Sequence, residues 1–437
     1  METSPPCLIF LLLTAGTVLI VHCDNEDVSP EKYKFDTGGL SRESFPKGFI
    51  FGKATSACQV EGAASTEGRG PSIWDTFIKQ PGVEPNNANG EVSVDQYHQY
   101  KDVYLMAKLN FEAYRFSISW SRIFPNGAGK VNWKGVAYYN RLFDYMLKRG
   151  ITPYANINHY DLSQALQDRY NGWLGRTKDF AYYAEFCFKT FGDRVKNWFS
   201  FNEPTVVAAL GCSKPYIVAH NLILCHASAA QRYRKKYQPK TMQNIVGTRL
   251  PKFTEEEVKM VKGLFDYVGI NQYTAYYMYD PHYTTPQPLG YQQDWNAGFA
   301  YDLNGVPIGP RAHSYWLYVV PWGLYKAINY VKEHYGNPTM ILAENGMDYA
   351  GNITLPKALH DTKRIDYYRS CLQELKKTVY EGANVIGYFA WSLLDNFEWR
   401  LGYTSRFGIV YIDFNTLEQY PKISAHWFRK LLRRQKH

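Results

Sequence analysis

Two glutamates stand where short apolar or aromatic runs end, one within Phe201–Pro204 and the other within Ala343–Gly346. Each glutamate, Glu203 and Glu344, has an asparagine beside it. In a barrel of parallel strands, the carboxyl ends of the strands point into the catalytic mouth. Two facing carboxyl groups are what glycoside hydrolysis requires, because one must protonate the leaving oxygen and the other must be ionised to attack the anomeric carbon. A single glutamate is more often a capping or ion-paired residue, so the pair is what indicates catalysis.

Further polar and aromatic side chains follow the other predicted strands. Amide, imidazole and carboxylate groups can bind adjacent hydroxyls of a sugar, and an indole can cover its C–H face. The hydroxyl-binding candidates are Gln59, His159, Asn202 and Glu398, the indole candidates are Trp391 and Trp399, and Tyr273 closes another strand. The chain has no HExxH or His-x-His motif, so we predict no metal site, and the hydrolysis needs no cofactor.

Short runs rich in β-branched and aromatic residues alternate with helical patterns along the chain. Alternation of this kind predicts a parallel sheet, and 437 residues fit an α/β fold of the TIM (β/α)8 barrel type. The predicted strands are Gly48–Ala54, Ala113–Ser119, Thr152–Asn158, Asn197–Phe201, Tyr267–Asn271, Thr339–Ala343 and Val385–Ala390. The predicted helices include Val136–Lys148, Asp179–Phe191, Ala219–Tyr237, Trp322–Tyr335 and Arg364–Glu381.

One strand is missing from this series. Between Glu203 and Tyr267 the only strand-like fragment is Asn244–Leu250, which Gly247 and Arg249 interrupt. We therefore predict a barrel that is incomplete around strand 5. The sequence allows three arrangements at this place: the fragment Asn244–Leu250 partly fills the gap, the fourth and sixth strands close up, or the barrel stays split. A missing strand leaves its two neighbours with unpaired backbone groups, and each such group costs about 1–3 kcal/mol when it is buried. Glu203 follows one of these neighbours, so we expect it to be held less firmly relative to Glu344.

Residues 1–23 are interpreted as a secretory signal peptide, because an apolar run from Cys7 to Cys23 precedes an acidic stretch and no basic flank follows. We expect one barrel domain over residues 24–437. An oxidising compartment agrees with the sequon that begins at Asn352, a predicted glycosylation site. The seven cysteines show no CxxC spacing, so most of them are predicted to be buried thiols.

The composition is that of a globular chain, with 45% hydrophobic and 20% charged residues. The net charge is +9, but no long basic run accompanies it, so we expect no nucleic-acid partner. Aromatic residues reach 16%, which fits either a large core or sugar-stacking faces.

Taken together, the motifs resemble glycoside hydrolase family 1, and within it the β-glucosidases of plant type. The matching stretches are Phe45–Phe49, Ser56–Gly62, Tyr114–Arg122, Phe201–Pro204, Glu344–Gly346 and Trp391–Gly402. The resemblance implies a retaining mechanism with Glu203 as acid/base and Glu344 as nucleophile. It also implies that the glycone is bound by Gln59, His159, Asn202, Glu398 and Trp399, that Trp391 is the sugar platform, and that Asn271 and Tyr273 orient the nucleophile.

The chain departs from the family pattern at several positions. Ser200 and Ala343 stand where threonine is usual, Cys58 where tyrosine is usual, and Ser163 where proline is usual. The largest departure follows Glu203, where a loop closed by a disulfide in relatives is short. At Tyr237–Met242 the chain then joins segments that relatives separate by the fifth strand and its helix. We therefore predict a shortened form that lacks the fifth β/α unit.

The sequence thus predicts a retaining O-β-glycosidase that hydrolyses terminal non-reducing β-D-glucosides through a covalent glycosyl-enzyme. Its expected partner is a small β-glucoside or a short β-linked oligosaccharide, with no membrane contact after signal cleavage and the oligomeric state left open. The expected location is the secretory pathway, ending in the extracellular space (apoplast), the vacuole or the ER. The alternatives are a secreted sugar-binding or catalytically impaired barrel, a β-mannosidase, or a transglycosidase.

Overall fold

Seven parallel strands form the centre of the fold. In chain order they are β1 (Ile50–Ala54), β2 (Ala113–Ser117), β3 (Thr152–Asn158), β4 (Asn197–Phe201), β5 (Val268–Asn271), β6 (Met340–Asn345) and β7 (Val385–Trp391). Backbone hydrogen bonds join them in the order β4-β3-β2-β1-β7-β6-β5. All of the predicted strands in the described part of the chain are present, with ends that differ slightly from the predicted ones.

The structure is a computed structural model that describes residues 35–84, 87–175, 178–210, 214–233, 254–255, 257, 263, 265–281 and 297–434. The predicted signal peptide over residues 1–23 and the fragment Asn244–Leu250 lie outside these ranges.

The inner strands are buried on both faces, and the edge strands are not. Every residue of β2 and β6 is buried, as expected for parallel strands with helices on one face and the barrel interior on the other. In β4 only Phe199 is buried, and no residue of β5 is fully buried. This difference follows from position, because β4 and β5 are the two ends of the hydrogen-bonded order.

The gap predicted at strand 5 lies between β4 and β5, which share no backbone pairing in the described chain. Side chains cross the gap instead. The Tyr267 hydroxyl donates to the carbonyl oxygen of Trp198 at 2.9 Å, and the rings of Tyr267 and Phe199 lie 5.2 Å apart at 73°. The prediction of a barrel incomplete around strand 5 is therefore confirmed.

Helices cover the outside of the sheet. The longer ones are α1 (Trp133–Lys148), α2 (Lys178–Phe191), α3 (Pro215–Tyr233), α4 (Pro321–His334), α5 (Thr362–Tyr380) and α6 (Ile423–Leu431). In α1 the buried residues Val136, Tyr139, Phe143 and Met146 recur every three or four positions, which is the pattern of a helix with one face against a core. In α4 Pro321 stands in the first turn, where a missing backbone N–H costs nothing.

Shorter elements fill the loops. The short helical segments are Arg42–Ser44, Ala57–Val60, Ile73–Phe77, Gln96–Gln99, Tyr100–Val103, Tyr104–Lys108, Trp120–Ile123, Gln164–Tyr170, Gly172–Leu174, Pro204–Leu210, Leu355–Leu359 and Trp399–Leu401. Four antiparallel pairs join Tyr277–Tyr279 to Gly298–Ala300, Asp302–Leu303 to Val306–Pro307, Tyr349–Ala350 to Ser405–Arg406, and Val410–Ile412 to Gln419–Pro421. No helix within the described ranges is long and apolar enough to cross a membrane.

Buried thiols and one buried ammonium group lie outside the barrel mouth. Of the predicted thiols, Cys58, Cys187, Cys225 and Cys371 are free and buried, as expected. The Lys53 ammonium group is also buried, and its Nζ has no hydrogen-bond partner within the described residues. This Nζ lies 5.5–5.7 Å from three ring centroids, those of Phe111, Tyr368 and Phe428. Burial, together with the nearby positive charges of Arg364 and Lys422, holds the pKa of Lys53 well below its usual range.

Candidate active site

The predicted residues gather at the carboxyl ends of the strands. Glu344 lies in β6, and its neighbour in the strand register is Asn271 of β5. Glu203 lies two residues after the end of β4, and Tyr273 lies two residues after the end of β5. A cavity of about 610 Å³ lies here, and its walls include Glu203, Asn271, Tyr273 and Trp316.

The Glu344 carboxylate is buried and has a partner for each oxygen. Arg115 Nη1 donates to Oε1 at 2.5 Å, and the Tyr273 hydroxyl donates to Oε2 at 2.7 Å. Burial raises the pKa of Glu344 to about 7 against the opposing effect of Arg115, and the charge of Glu203 adds to the rise. The two hydrogen bonds fix the carboxylate and favour its ionised form.

The Glu203 carboxyl group is held by two other side chains. Asn271 Nδ2 donates to Oε1 at 2.7 Å, and the Tyr160 hydroxyl donates to Oε2. Glu203 and Tyr160 both have left-handed backbones, with φ of +41° and +69°. Such backbones are uncommon for residues other than glycine and often occur at functional sites.

The hydrogen bonds of Asn271 lie on the Glu203 side of the site. The family resemblance assigns Asn271 to orienting the nucleophile, Glu344. In the structure its amide donates to Glu203 and to Asn202 Oδ1, the latter at 3.0 Å. Asn271 belongs to β5, which lies at the opposite end of the strand order from β4. Tyr273, by contrast, contacts Glu344 as the resemblance implies.

Asn202 joins the surroundings of the two carboxyl groups into one network. Its Oδ1 accepts from Arg115 Nη2 at 2.7 Å and from Asn271 Nδ2 at 3.0 Å. Arg115 reaches Glu344, and Asn271 reaches Glu203. Side chains therefore connect the two carboxyl groups where the backbone of β4 and β5 does not.

The residues predicted to bind sugar hydroxyls form a second group. Gln59 Nε2 donates to Glu398 Oε2 at 3.1 Å and to Asn396 Oδ1 at 3.2 Å, while the Ser56 hydroxyl donates to Gln59 Oε1 at 2.7 Å. Burial raises the pKa of Glu398 to about 8, and the charges of Asp348 and Glu344 add to the rise. The effect of Glu344 shows that this group lies close to the nucleophile candidate.

Two indoles flank His159. The rings of Trp391 and Trp399 are nearly parallel to the imidazole, at centroid distances of 5.9 and 5.8 Å and angles of 25° and 14°. Burial and the charge of Arg115 hold the pKa of His159 well below its usual range, so the ring is neutral at pH 7. A neutral imidazole has one donor and one acceptor nitrogen, which suits a sugar hydroxyl.

Sequence reasoning missed two residues of this site, Arg115 and Tyr160. An arginine within an apolar strand is a signal that could have been used, because a buried guanidinium must find a carboxylate. Tyr160 beside His159 is easily interpreted as a core aromatic. Asn352, the predicted glycosylation residue, lies in an exposed turn after the strand Tyr349–Ala350.

A parallel α/β barrel whose mouth holds two carboxyl groups among polar and indole side chains is the architecture of a glycoside hydrolase. Comparison with known families shows which glycoside hydrolase family this is. The model described as "Glycosyl hydrolase family 1" matches residues 41–246 and 236–437, and the chain belongs to this family.

Similar proteins are found among plant enzymes. Beta-glucosidase 44 of Arabidopsis thaliana is 59% identical over 508 aligned residues, which cover 99% of this chain and 99% of that protein. Beta-glucosidase 1 of Oryza sativa subsp. japonica is 58% identical and covers 91% of this chain and 90% of its own. The crystal structure of the rice Os3BGlu6 β-glucosidase has a TM-score of 0.86 at 42% identity, with 91% of this chain and 100% of that chain covered. A mutant of that rice enzyme, in a covalent complex with glucose, has a TM-score of 0.85 at 42% identity and covers the same shares of both chains.

The comparisons also confirm the shortened form. The two matches to the family model overlap at residues 236–246, next to the junction at Tyr237–Met242 where the sequence predicts the missing unit. The alignment with the Arabidopsis protein extends over 508 residues although this chain has 437, so it contains gaps in this chain.

Proposed function

We propose that the protein is a retaining β-glucosidase with Glu344 as nucleophile and Glu203 as acid/base. The observation that carries this assignment is the network through Asn202, in which Arg115 and Asn271 link the two carboxyl groups. The names of the relatives, and the covalent glucose complex of the rice enzyme, support the same reaction.

In the first step the Glu344 carboxylate attacks the anomeric carbon while Glu203 gives a proton to the leaving oxygen. Arg115 and Tyr273 keep Glu344 in position for this attack. In the second step Glu203 takes a proton from water, which then releases the sugar from Glu344. Asn271 and Tyr160 aim Glu203 in both steps. A retaining reaction requires the two carboxyl groups to lie about 5–5.5 Å apart, and we expect that separation here.

The glycone is held by the second group of residues. Gln59, Glu398 and His159 offer hydrogen bonds to adjacent hydroxyls, and Asn202 offers a further one beside the anomeric centre. Trp391 and Trp399 cover the apolar face of the ring. Because burial raises the pKa of Glu398 to about 8, its carboxyl group is protonated at neutral pH. A protonated carboxyl group can donate a hydrogen bond as well as accept one.

The same proposal extends to processing and location. Residues 1–23 act as a cleaved signal peptide, and the mature chain travels through the secretory pathway to the apoplast, the vacuole or the ER. Asn352 carries a glycan, which is supported by the exposed position of this residue in a turn.

The test is hydrolysis of 4-nitrophenyl β-D-glucoside by purified, monodisperse protein, with Glu344→Ala as the inactive control. A 2-deoxy-2-fluoroglucoside should label Glu344, and peptide mass spectrometry would find the adduct. Absence of turnover by folded protein would overturn the enzymatic assignment. A label on any other residue would overturn the role of Glu344.

A further inference from the structure

A second cavity opens where the fifth strand is missing. It measures about 390 Å³ and lies at the β4–β5 gap, between the sheet and helices α2 and α3. Small-molecule sites in proteins have volumes of about 300–1,000 Å³, so this cavity is of sufficient size. Phe199, Phe201 and Gly269 belong to its wall and also to the wall of the catalytic cavity, so the two cavities are neighbours.

Aromatic rings dominate the wall of this gap cavity. Trp198 of β4 meets Phe188 of α2 at 4.9 Å and 81°, and Phe199 meets Tyr267 at 5.2 Å and 73°. Phe265 completes this side. Rings that meet edge to face leave faces and edges available to a planar aromatic guest, which prefers the same kinds of contact.

One polar pair stands inside this aromatic wall. The Ser200 hydroxyl of β4 lies 2.7 Å from His226 Nδ1 of α3. Burial lowers the pKa of His226, so the imidazole is neutral at pH 7. When the Ser200 hydroxyl donates to Nδ1, the proton of the ring is on Nε2. That nitrogen has no protein hydrogen-bond partner in the described part of the chain.

The charged groups of the described wall are Lys196 and Asp266. Lys196 is exposed, and its ammonium group donates to the carbonyl oxygen of Gly192 at 2.5 Å. Asp266 is exposed as well. Neither provides a buried counter-charge, so an ionised guest would lose hydration without compensation.

We propose that the gap cavity binds a small, uncharged aromatic molecule with one hydroxyl group, whose oxygen accepts a hydrogen bond from His226 Nε2. The rings of Trp198 and Phe199 hold its aromatic part. Such a guest contacts β4 and β5 together, so it stabilises the split barrel by binding only its folded form.

The probe is 2-naphthol, which is neutral at pH 7, and the measurements are isothermal titration calorimetry and the thermal unfolding temperature. We expect 2-naphthol to bind the wild-type protein and raise the unfolding temperature. Saturating glucoimidazole, which forms a complex with the β-glucosidase from Thermotoga maritima, should change the affinity less than twofold. Failure to bind, or displacement by glucoimidazole, would overturn the proposal.

Variants on α3 locate the binding site. His226→Phe removes the donor and should weaken binding about tenfold, since one hydrogen bond is worth about 1.4 kcal/mol or less. Ala230→Trp fills the cavity and should abolish binding. Ser228→Ala on the same helix is the matched control, with unchanged affinity expected. Wild-type affinity in both His226→Phe and Ala230→Trp would also overturn the proposal, and if Ala230→Trp does not fold, His226→Phe and the competition experiment decide.

Discussion

The substitution Asn271→Ala tests whether side chains replace the missing strand as the support of Glu203. It removes the 2.7 Å hydrogen bond to Glu203 and the 3.0 Å bond to Asn202. A bond to a charged group contributes about 1.5–3 kcal/mol and a neutral one about 1 kcal/mol. A total near 3 kcal/mol corresponds to about 10²-fold in rate, and a misplacement of about 1 Å has a similar effect.

The choice of substrate shows which carboxyl group is affected. A 4-methylumbelliferyl glucoside needs protonation of its leaving oxygen more than a 2,4-dinitrophenyl glucoside does. If Asn271 supports the acid, kcat/KM for Asn271→Ala should fall about 10²-fold with the first substrate and less than tenfold with the second. Glu203→Gln should give the same selective pattern. Asn396→Ala is the matched control, because this asparagine contacts Gln59 rather than Glu203.

An equal loss of kcat/KM with both substrates would refute this reasoning. It would mean that Asn271 acts on the nucleophile, as the family resemblance assigns, or on the whole pocket. Circular dichroism and the unfolding temperature of each variant separate these outcomes from a loss of fold.

Three further substitutions test the buried charges. Tyr273→Phe removes a hydrogen bond that lowers the pKa of Glu344, so the acid limb of the kcat/KM profile should move about one pH unit upward; an unmoved limb contradicts this. For Glu398 the folded pKa of about 8 exceeds the usual value of 4.5, so the folded state keeps a proton that the unfolded state loses, and its contribution to stability falls as pH rises through this window. Glu398→Gln should therefore raise the free energy of unfolding more at pH 8 than at pH 5, by on the order of 3 kcal/mol, and an equal gain at both pH values would argue against a protonated Glu398. Lys53→Met should stabilise the protein by about 1–3 kcal/mol at pH 7 in urea unfolding, because the Lys53 ammonium group has no hydrogen-bond partner among the described residues and burial lowers its pKa. A less stable variant would show that the ammonium group has a favourable role.

The sequence predicted the barrel strands because local pattern determines them. Runs such as that of β3 are apolar and β-branched over the length of a strand, and the helical patterns between them have the period of a buried face. The gap could be predicted for the same reason, since no comparable run lies between Glu203 and Tyr267. The exact ends could not be predicted: β6 continues through Glu344 to Asn345, and its register with both neighbouring strands shifts after Leu342.

The site was predictable as a set of residues but not as a set of contacts. Glu203 and Glu344 could be found because strand ends meet in a barrel mouth. Arg115 binds a carboxylate 229 positions away, and no spacing in the sequence indicates that pairing. The hydrogen-bond partner of Asn271 depends on how the edge strands β4 and β5 lie in space, and the sequence does not show that arrangement.

The open edge between β4 and β5 changes what sets the spacing of the catalytic groups. In a closed ring of strands, the ladder of backbone hydrogen bonds dictates the circumference, and a side chain cannot alter it. In this chain the span from β4 to β5 is bridged by the lengths of Asn271 and Tyr267. A single substitution at Asn271 or Tyr267 can therefore change the distance between the acid and the nucleophile. In an uninterrupted barrel the backbone fixes that distance, so evolution cannot adjust it through one side chain.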